Sequence, residues 1–231
     1  MAELVQMFYD PAGVFQKVRD RKIWVAPFVA MIIVSLIVAA LVINIIGMEA
    51  MTRKQLESNP QLVERMGGQA KVEEAAQQAN TPARKMFGYA AAGMGAAVFM
   101  LLVAALMLAL MNMMDAKLNF GQALGTTSYA FFPFGIVTCV MSALILMLAH
   151  DPAELDARNL IHLNAGAFMD SASKPLQSLA NSMDLITLGQ IVMLSYGFSK
   201  VGGVAFGKTL AIVAGLWIVW VLLKMGFAMV F

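Results

Sequence analysis

Charged residues are scarce in this chain: Asp, Glu, Lys and Arg make up 13% of its 231 residues, against roughly 25% in soluble domains. The 16 basic and 14 acidic residues leave a net charge of +2, without the basic excess of nucleic-acid-binding proteins. The single cysteine, Cys139, excludes an intrachain disulfide. The two histidines, His150 and His162, lack the spacing of a zinc site. We therefore predict no metal, no other cofactor and no nucleic-acid partner.

Apolar residues, by contrast, make up 60% of the chain, more than a soluble fold of this size can hide from water. A helix crosses a bilayer with roughly 20 apolar residues. The sequence has five apolar runs that approach or exceed this length: 23–46, 86–114, 123–148, 185–198 and 209–231. The predicted fold class is all-α, a polytopic membrane helical bundle of about five transmembrane helices with short interfacial helices.

The run 185–198 is short for a span, and a re-entrant or interfacial segment is the alternative. We favour a span because Asp184 and Lys200 at its ends can reach the headgroups. Two polar loops, 47–85 and 149–184, separate the runs. We expect one or two surface helices in the first loop, with a start at Asn59-Pro60, and an interfacial helix around 175–183 in the second.

Residues 1–22 place apolar side chains at helical spacing on both sides of Pro11, a pattern typical of a helix lying on the membrane surface. Basic residues do not orient the chain by the positive-inside rule, because the two sides carry nearly equal numbers. The N-terminal side has Lys17, Arg19, Arg21, Lys22, Lys117, Lys200 and Lys208, and the other side has Arg53, Lys54, Arg65, Lys71, Arg84, Lys85, Arg158 and Lys174.

Gly202–Thr209 fits the phosphate-loop pattern G-x-x-x-x-G-K-[ST]. A working phosphate loop follows a buried strand and opens a helix of an α/β domain, whereas this segment joins two apolar runs. We interpret it as a turn between two membrane helices, with Lys208 at the headgroups, and predict no nucleotide binding.

Small residues recur every four positions in the second run, at Gly88, Ala92 and Ala96, with Ala91 and Gly95 on a neighbouring row. Such rows let membrane helices approach closely. We favour packing against another span of the same chain over contact with a second copy.

Several short motifs appear in a fixed order around the runs. They are Met7–Phe15, which includes Asp10-Pro11; Asn119–Leu124 followed by Ser128–Pro133, which includes Tyr129; Leu179–Leu185, which includes Asp184; Ser195–Ser199, which includes Gly197; and Gly207–Leu210, which includes Lys208. Together they resemble the Yip (Ypt-interacting protein) membrane-domain family, and more closely its bacterial members. The resemblance covers nearly the whole chain. The sequence departs from the pattern at Leu188-Gly189, where an aromatic residue is expected.

The resemblance implies five spans, a cytoplasmic N-terminus and a location in the bacterial cytoplasmic membrane. Eukaryotic members are associated with Rab-type GTPases and with vesicle traffic at the ER and Golgi, and they have a longer cytosolic N-terminal region. Because only 22 residues precede the first run here, that role is not carried over.

No nucleophile–base pair or mid-membrane acidic residue can be named, so we predict that the protein is not an enzyme. The leading hypothesis is a protein that acts through protein or lipid contacts in membrane organisation, with membrane lipids and a membrane protein or second copy as partners. The alternative is a conduit for lipid or a small solute, lined by Thr126, Thr127, Ser128 and Tyr129.

Overall fold

The chain folds into α-helices. The computed structural model describes residues 2–21, 23–157, 160–161, 180 and 182–230. In chain order the helices of this part are α1 (Ala2–Gln6), α2 (Pro11–Arg21), α3 (Val25–Ile45), α4 (Met48–Glu57), α5 (Pro60–Met66), α6 (Gln69–Ala79), α7 (Pro82–Asn112), α8 (Phe120–Leu148), α9 (Leu185–Gly202) and α10 (Phe206–Val230), with a 3₁₀ turn at Pro152–Glu154. These residues contain no β-strand, and the predicted all-α class is confirmed.

Four helices are long and apolar enough to cross a membrane: Val25–Ile45, Pro82–Asn112, Phe120–Leu148 and the Phe206–Gly226 part of α10. In the most apolar stretch of each, only 17–22% of residues are buried inside the protein. Most residues of these stretches therefore keep exposed surface, as expected of helices that contact lipid. α8 stays continuous through Pro133.

The region predicted as the fourth span forms α9, which continues four residues past Phe198 to Gly202. Its 18 residues reach about 27 Å at ~1.5 Å per residue, close to the roughly 30 Å of a hydrocarbon core. Gln190, Ser195 and Lys200 lower its apolar content, and it is not among the four candidate spans. That α9 crosses the bilayer stays a prediction.

The polar loop 47–85 contains three helices, α4 to α6, where one or two were expected. Asn59 caps α5 as predicted, because its side chain accepts a hydrogen bond from the Leu62 N–H, with Pro60 in the first turn. Gly67 ends α5 in the left-handed conformation at φ 97°, which glycine adopts without strain. The helix predicted around 175–183 lies almost wholly outside the described residues.

The chain divides into two compact units. The first comprises 1–31, 97–136 and 162–231, and the second comprises 32–96 and 137–161. In the first unit every residue from Ala123 to Phe132 of α8 is buried, so this part of α8 contacts protein on all sides. The apolar face of α2, formed by Val14, Phe15 and Val18, is also buried.

The second unit has an apolar core where α3 meets the end of α8. Val42 and Ile46 are buried with Leu146 and Leu160. α4 packs against α6, and the Arg53 guanidinium joins the two helices through hydrogen bonds of 3.0 and 2.9 Å to the Glu73 carboxylate. These bonds and the charge of Glu73 raise the pKa of Arg53.

Candidate interaction site

The N-terminal helices meet α8 and α9 at a close junction around Phe15. The Phe15 ring is fully buried and contacts the Tyr196 ring edge-on, with centroids 6.1 Å apart. A Cβ atom at Gly197 would lie 2.7 Å from the Phe15 ring and 2.8 Å from the Thr126 methyl. Only a residue without a side chain fits there, which explains the position of Gly197 in its motif.

A second contact attaches the end of α2 to the start of α8. Asn119 and Gln122 form a reciprocal cap: the Gln122 N–H donates to Asn119 Oδ1 at 3.1 Å, and the Asn119 N–H donates to Gln122 Oε1 at 3.0 Å. This arrangement satisfies backbone donors at both residues. Gln122 Nε2 then donates to the Arg19 carbonyl at 2.8 Å. The Asn119–Leu124 motif thus both starts α8 and holds α2.

The acidic residues of two other motifs also start helices. Asp10 Oδ1 accepts the Gly13 N–H at 2.9 Å, and Pro11 is the first residue of α2. Asp184 Oδ1 accepts the Thr187 N–H at 2.9 Å, and Asp184 Oδ2 accepts the Thr187 hydroxyl. Side-chain caps of this kind stabilise a helix by about 1 kcal/mol. The sequence pattern drew attention to Asp184 without revealing this role.

The polar side chains expected to line a conduit are closed in protein. Thr126, Thr127 and Ser128 are 0% exposed and Tyr129 is 1% exposed. The Thr126 hydroxyl donates to the Gln122 carbonyl at 2.7 Å, and the Ser128 hydroxyl contacts Met100 Sδ at 3.7 Å. Thr127 Oγ1 is buried without a hydrogen-bond partner. These residues form part of a packed core and line no open groove.

The small-residue row of α7 lies against α3 in the second unit. A Cβ at Gly88 would be 2.9 Å from Ile43 Cδ1, and the Ala92 carbonyl accepts a hydrogen bond from the Ser35 hydroxyl at 3.0 Å. Ala96 is half-buried. Gly93, which lies off the four-residue row, also approaches α3, since a Cβ there would be 3.2 Å from Leu36 Cδ2. Sequence spacing alone could not reveal Gly93, because its contact depends on how the two helices cross.

The sequence model of the Yip1 domain matches residues 5–228, from α1 to the end of α10. The chain belongs to the Yip1 family. It matches no curated protein and no solved structure. As a Yip1-family chain with several apolar helices, it is a multi-span membrane protein.

Gly189 of this Yip1 domain lies against a ring of α8. A Cβ at Gly189 would lie 2.8 Å from Cζ of Phe134 on α8. An aromatic residue is thus present in the space beside position 189, but it comes from α8.

The phosphate-loop match of this Yip1 domain falls on a helix–turn–helix. α9 ends with Gly203 in the left-handed conformation at φ 68°, the Ser199 hydroxyl donates to the Val204 carbonyl at 2.8 Å, and α10 begins at Phe206. Lys208 is exposed in the first turn of α10. The segment before the turn is a helix and not the strand that a phosphate loop follows.

Lys224 and His150 are polar residues outside these motifs. Lys224 Nζ donates to the Ser182 hydroxyl at 3.1 Å, so its ammonium reaches the region just before α9. His150 is exposed on the loop after α8, whereas His162 lies outside the described residues. Within the described part, no three His, Cys, Asp or Glu side chains are placed so that they could hold a metal ion.

Proposed function

We propose that this Yip1-family protein is non-enzymatic and acts through protein or lipid contacts in membrane organisation. The observation that carries the proposal is the burial of Thr126–Tyr129 inside the first unit. Because the polar positions best placed for a conduit are packed into the core, the surfaces left for function are the outer faces of the helices and the loop helices α4 to α6.

The proposed location is the bacterial cytoplasmic membrane, with the N-terminus in the cytoplasm. The bacterial-type motifs support this location and orientation. The counts of basic residues favour neither orientation. In whole cells, a membrane-impermeant thiol reagent should leave Asp20→Cys unmodified and modify Glu57→Cys, in a Cys139→Ala background. The reverse pattern would require the opposite orientation.

The proposed partners are membrane lipids together with a membrane protein or a second copy of this chain, and neither nucleic acid nor nucleotide. The second small-residue row of α7 supports a helical partner. Ala91 and Gly95 are exposed, and nothing lies within 4 Å of a Cβ built at Gly95. Exposed small residues of this kind are common where membrane helices associate.

Liposome reconstitution tests the proposed function against the conduit. Vesicles of phosphatidylethanolamine and phosphatidylglycerol, with and without purified protein, would be assayed for fluorescent-lipid movement between leaflets and for release of a trapped small solute. We expect both rates to equal those of protein-free vesicles. A protein-dependent rate that falls in Ser128→Ala and Thr126→Ala variants, but not in an Asp20→Ala control, would overturn the proposal.

A further inference from the structure

The N-terminal segment runs antiparallel to α8 and follows it into the bundle. Successive contacts show the register. The Arg19 carbonyl accepts from Gln122 Nε2, Val18 Cγ1 lies 3.2 Å from a Cβ built at Gly125, and the Phe8 and Phe132 rings meet edge-on at 6.0 Å. From Gln122 to Phe132 the chain advances ten residues, about 15 Å at ~1.5 Å per residue.

The depth of this segment can be measured against the start of the first span. Trp24, just before α3, contacts the start of α8: its Cδ1 lies 3.2 Å from a Cβ built at Gly121, and its Cβ lies 3.4 Å from one built at Gly125. Phe132 is seven residues beyond Gly125, about 10 Å further along α8. Half of a hydrocarbon core measures about 15 Å. Phe8 therefore lies on the bilayer side of the level at which α3 begins.

We propose that α1 and the start of α2 insert into the leaflet from which α3 enters the membrane, where Val5, Phe8 and Tyr9 contact lipid acyl chains. These three side chains are 66%, 53% and 75% exposed in the protein. More than half of the surface of each side chain is left uncovered by the part of the protein that the structure describes, and at this depth the surrounding solvent is hydrocarbon. The N-terminal segment thus penetrates the leaflet and does not lie on the membrane surface.

Four polar side chains of the N-terminal segment, Glu3, Gln6, Asp10 and Lys17, are paired with one another, which lowers the cost of placing them in lipid. Asp10 accepts hydrogen bonds from the Gly13 N–H at 2.9 Å and from Gln6 Nε2 at 2.8 Å. Lys17 Nζ donates to Gln6 Oε1 at 2.7 Å and lies 3.6 Å from the Glu3 carboxylate. Glu3, Asp10 and Lys17 therefore each have a partner within the segment, and Pro11 has no N–H to satisfy.

The other end of the segment has a different character. Gln16, Arg19, Asp20 and Arg21 are exposed at the end of α2, near the level of Gln122 where α8 begins. Charged side chains at that level can reach the headgroups. The polar side chains near Phe8 are thus paired, whereas those near Arg19 are exposed. This difference agrees with the contacts along α8, which place Phe8 deeper in the bilayer than Arg19.

This inference rests on the proposed function and names lipid acyl chains as the partner of the surface formed by Val5, Phe8 and Tyr9. The accessibility of spin labels on this surface tests it independently of the lipid and solute flux assay. In a Cys139→Ala background, nitroxide labels would be placed one at a time at Val5→Cys, Tyr9→Cys, Asp20→Cys and Val140→Cys. Val140 is an exposed apolar residue of α8 and serves as the lipid-facing reference. The protein would be held in vesicles of phosphatidylethanolamine and phosphatidylglycerol.

We expect labels at residues 5 and 9 to resemble the Val140→Cys label, with an oxygen-to-nickel-chelate accessibility ratio severalfold above that of Asp20→Cys. A ratio at both positions equal to that of Asp20→Cys would place the segment in water and overturn the proposal. Shielding from oxygen and nickel alike at both positions would mean that protein covers this face, and would overturn it equally. The flux result of the proposed function is unaffected by either outcome.

Discussion

The ring of Phe15 occupies the space into which a side chain of Gly197 would project. A Cβ at Gly197 would lie 2.7 Å from both Cε1 and Cζ of the ring, a separation that packed atoms do not tolerate. The contact joins α2 to α9 beside Thr126 of α8, and so brings three helices together at one point. The N-terminal segment is therefore an integral part of the first unit.

Replacement of Gly197 by Ala should destabilise the protein. Alanine favours a helix over glycine by roughly 1 kcal/mol, but overpacking of a filled core costs typically 1–3 kcal/mol, and the rigid Phe15 ring cannot yield. We expect a lower thermal midpoint for Gly197→Ala in lipid nanodiscs. Gly215→Ala is the matched control, because nothing lies within 4 Å of a Cβ at that position of α10; it should be neutral or slightly stabilising. Equal midpoints for the two variants would contradict the packing described.

Gly189 and Phe134 should behave as a coupled pair. Gly189→Ala overlaps the Phe134 ring and should lower the thermal midpoint, by an amount similar to Gly197→Ala. In the double variant with Phe134→Leu, the smaller side chain leaves room for the new methyl group. The midpoint of the double variant should therefore lie above the value obtained by adding the shifts of the two single variants. Strict additivity of the two substitutions would show that they do not meet.

Much of the fold is readable from the sequence because lipid imposes a simple rule on it. A helix exposed to hydrocarbon must be apolar over roughly 20 residues, so α3, α7, α8 and α10 stand out, and Asn59-Pro60 correctly predicts a helix start. The contacts that organise the candidate site are different in kind. Thr126–Tyr129 looked like a polar lining, since no sequence pattern distinguishes a buried hydroxyl from one that faces a channel.

Loss of the Asp184 carboxylate should weaken the start of α9. Asp184→Ala removes the acceptor for the Thr187 N–H, and loss of an N-cap costs about 1 kcal/mol. We expect a lower thermal midpoint and faster amide hydrogen exchange in the first turn of α9. Asp184→Asn keeps a side-chain oxygen and should restore most of the difference. An Asn variant as unstable as the Ala variant would show that charge, and not capping, is what matters at this position.

The segment Gly202–Thr209, which matches the phosphate-loop pattern, should not bind nucleotide. Gly202–Thr209 forms the end of one helix, a turn and the start of another, and provides no loop of backbone amides after a strand. Addition of Mg-ATP or Mg-GTP should leave the thermal midpoint unchanged, and Lys208→Ala should behave like the unmodified protein in the same assay. A nucleotide-dependent rise that Lys208→Ala abolishes would contradict this interpretation.

The three hydroxyl side chains Thr126, Thr127 and Ser128 of α8 are closed in protein, and the proposed action through the outer surfaces depends on this closure. Thiol accessibility of Thr127→Cys, in a Cys139→Ala background and in sealed vesicles, measures whether water reaches these side chains. A small water-soluble methanethiosulfonate reagent, present on both sides, should leave this thiol unmodified while it modifies Asp20→Cys. Modification of the Thr127→Cys thiol at a rate near that of Asp20→Cys would show a water-filled path to these side chains and would contradict the proposed function.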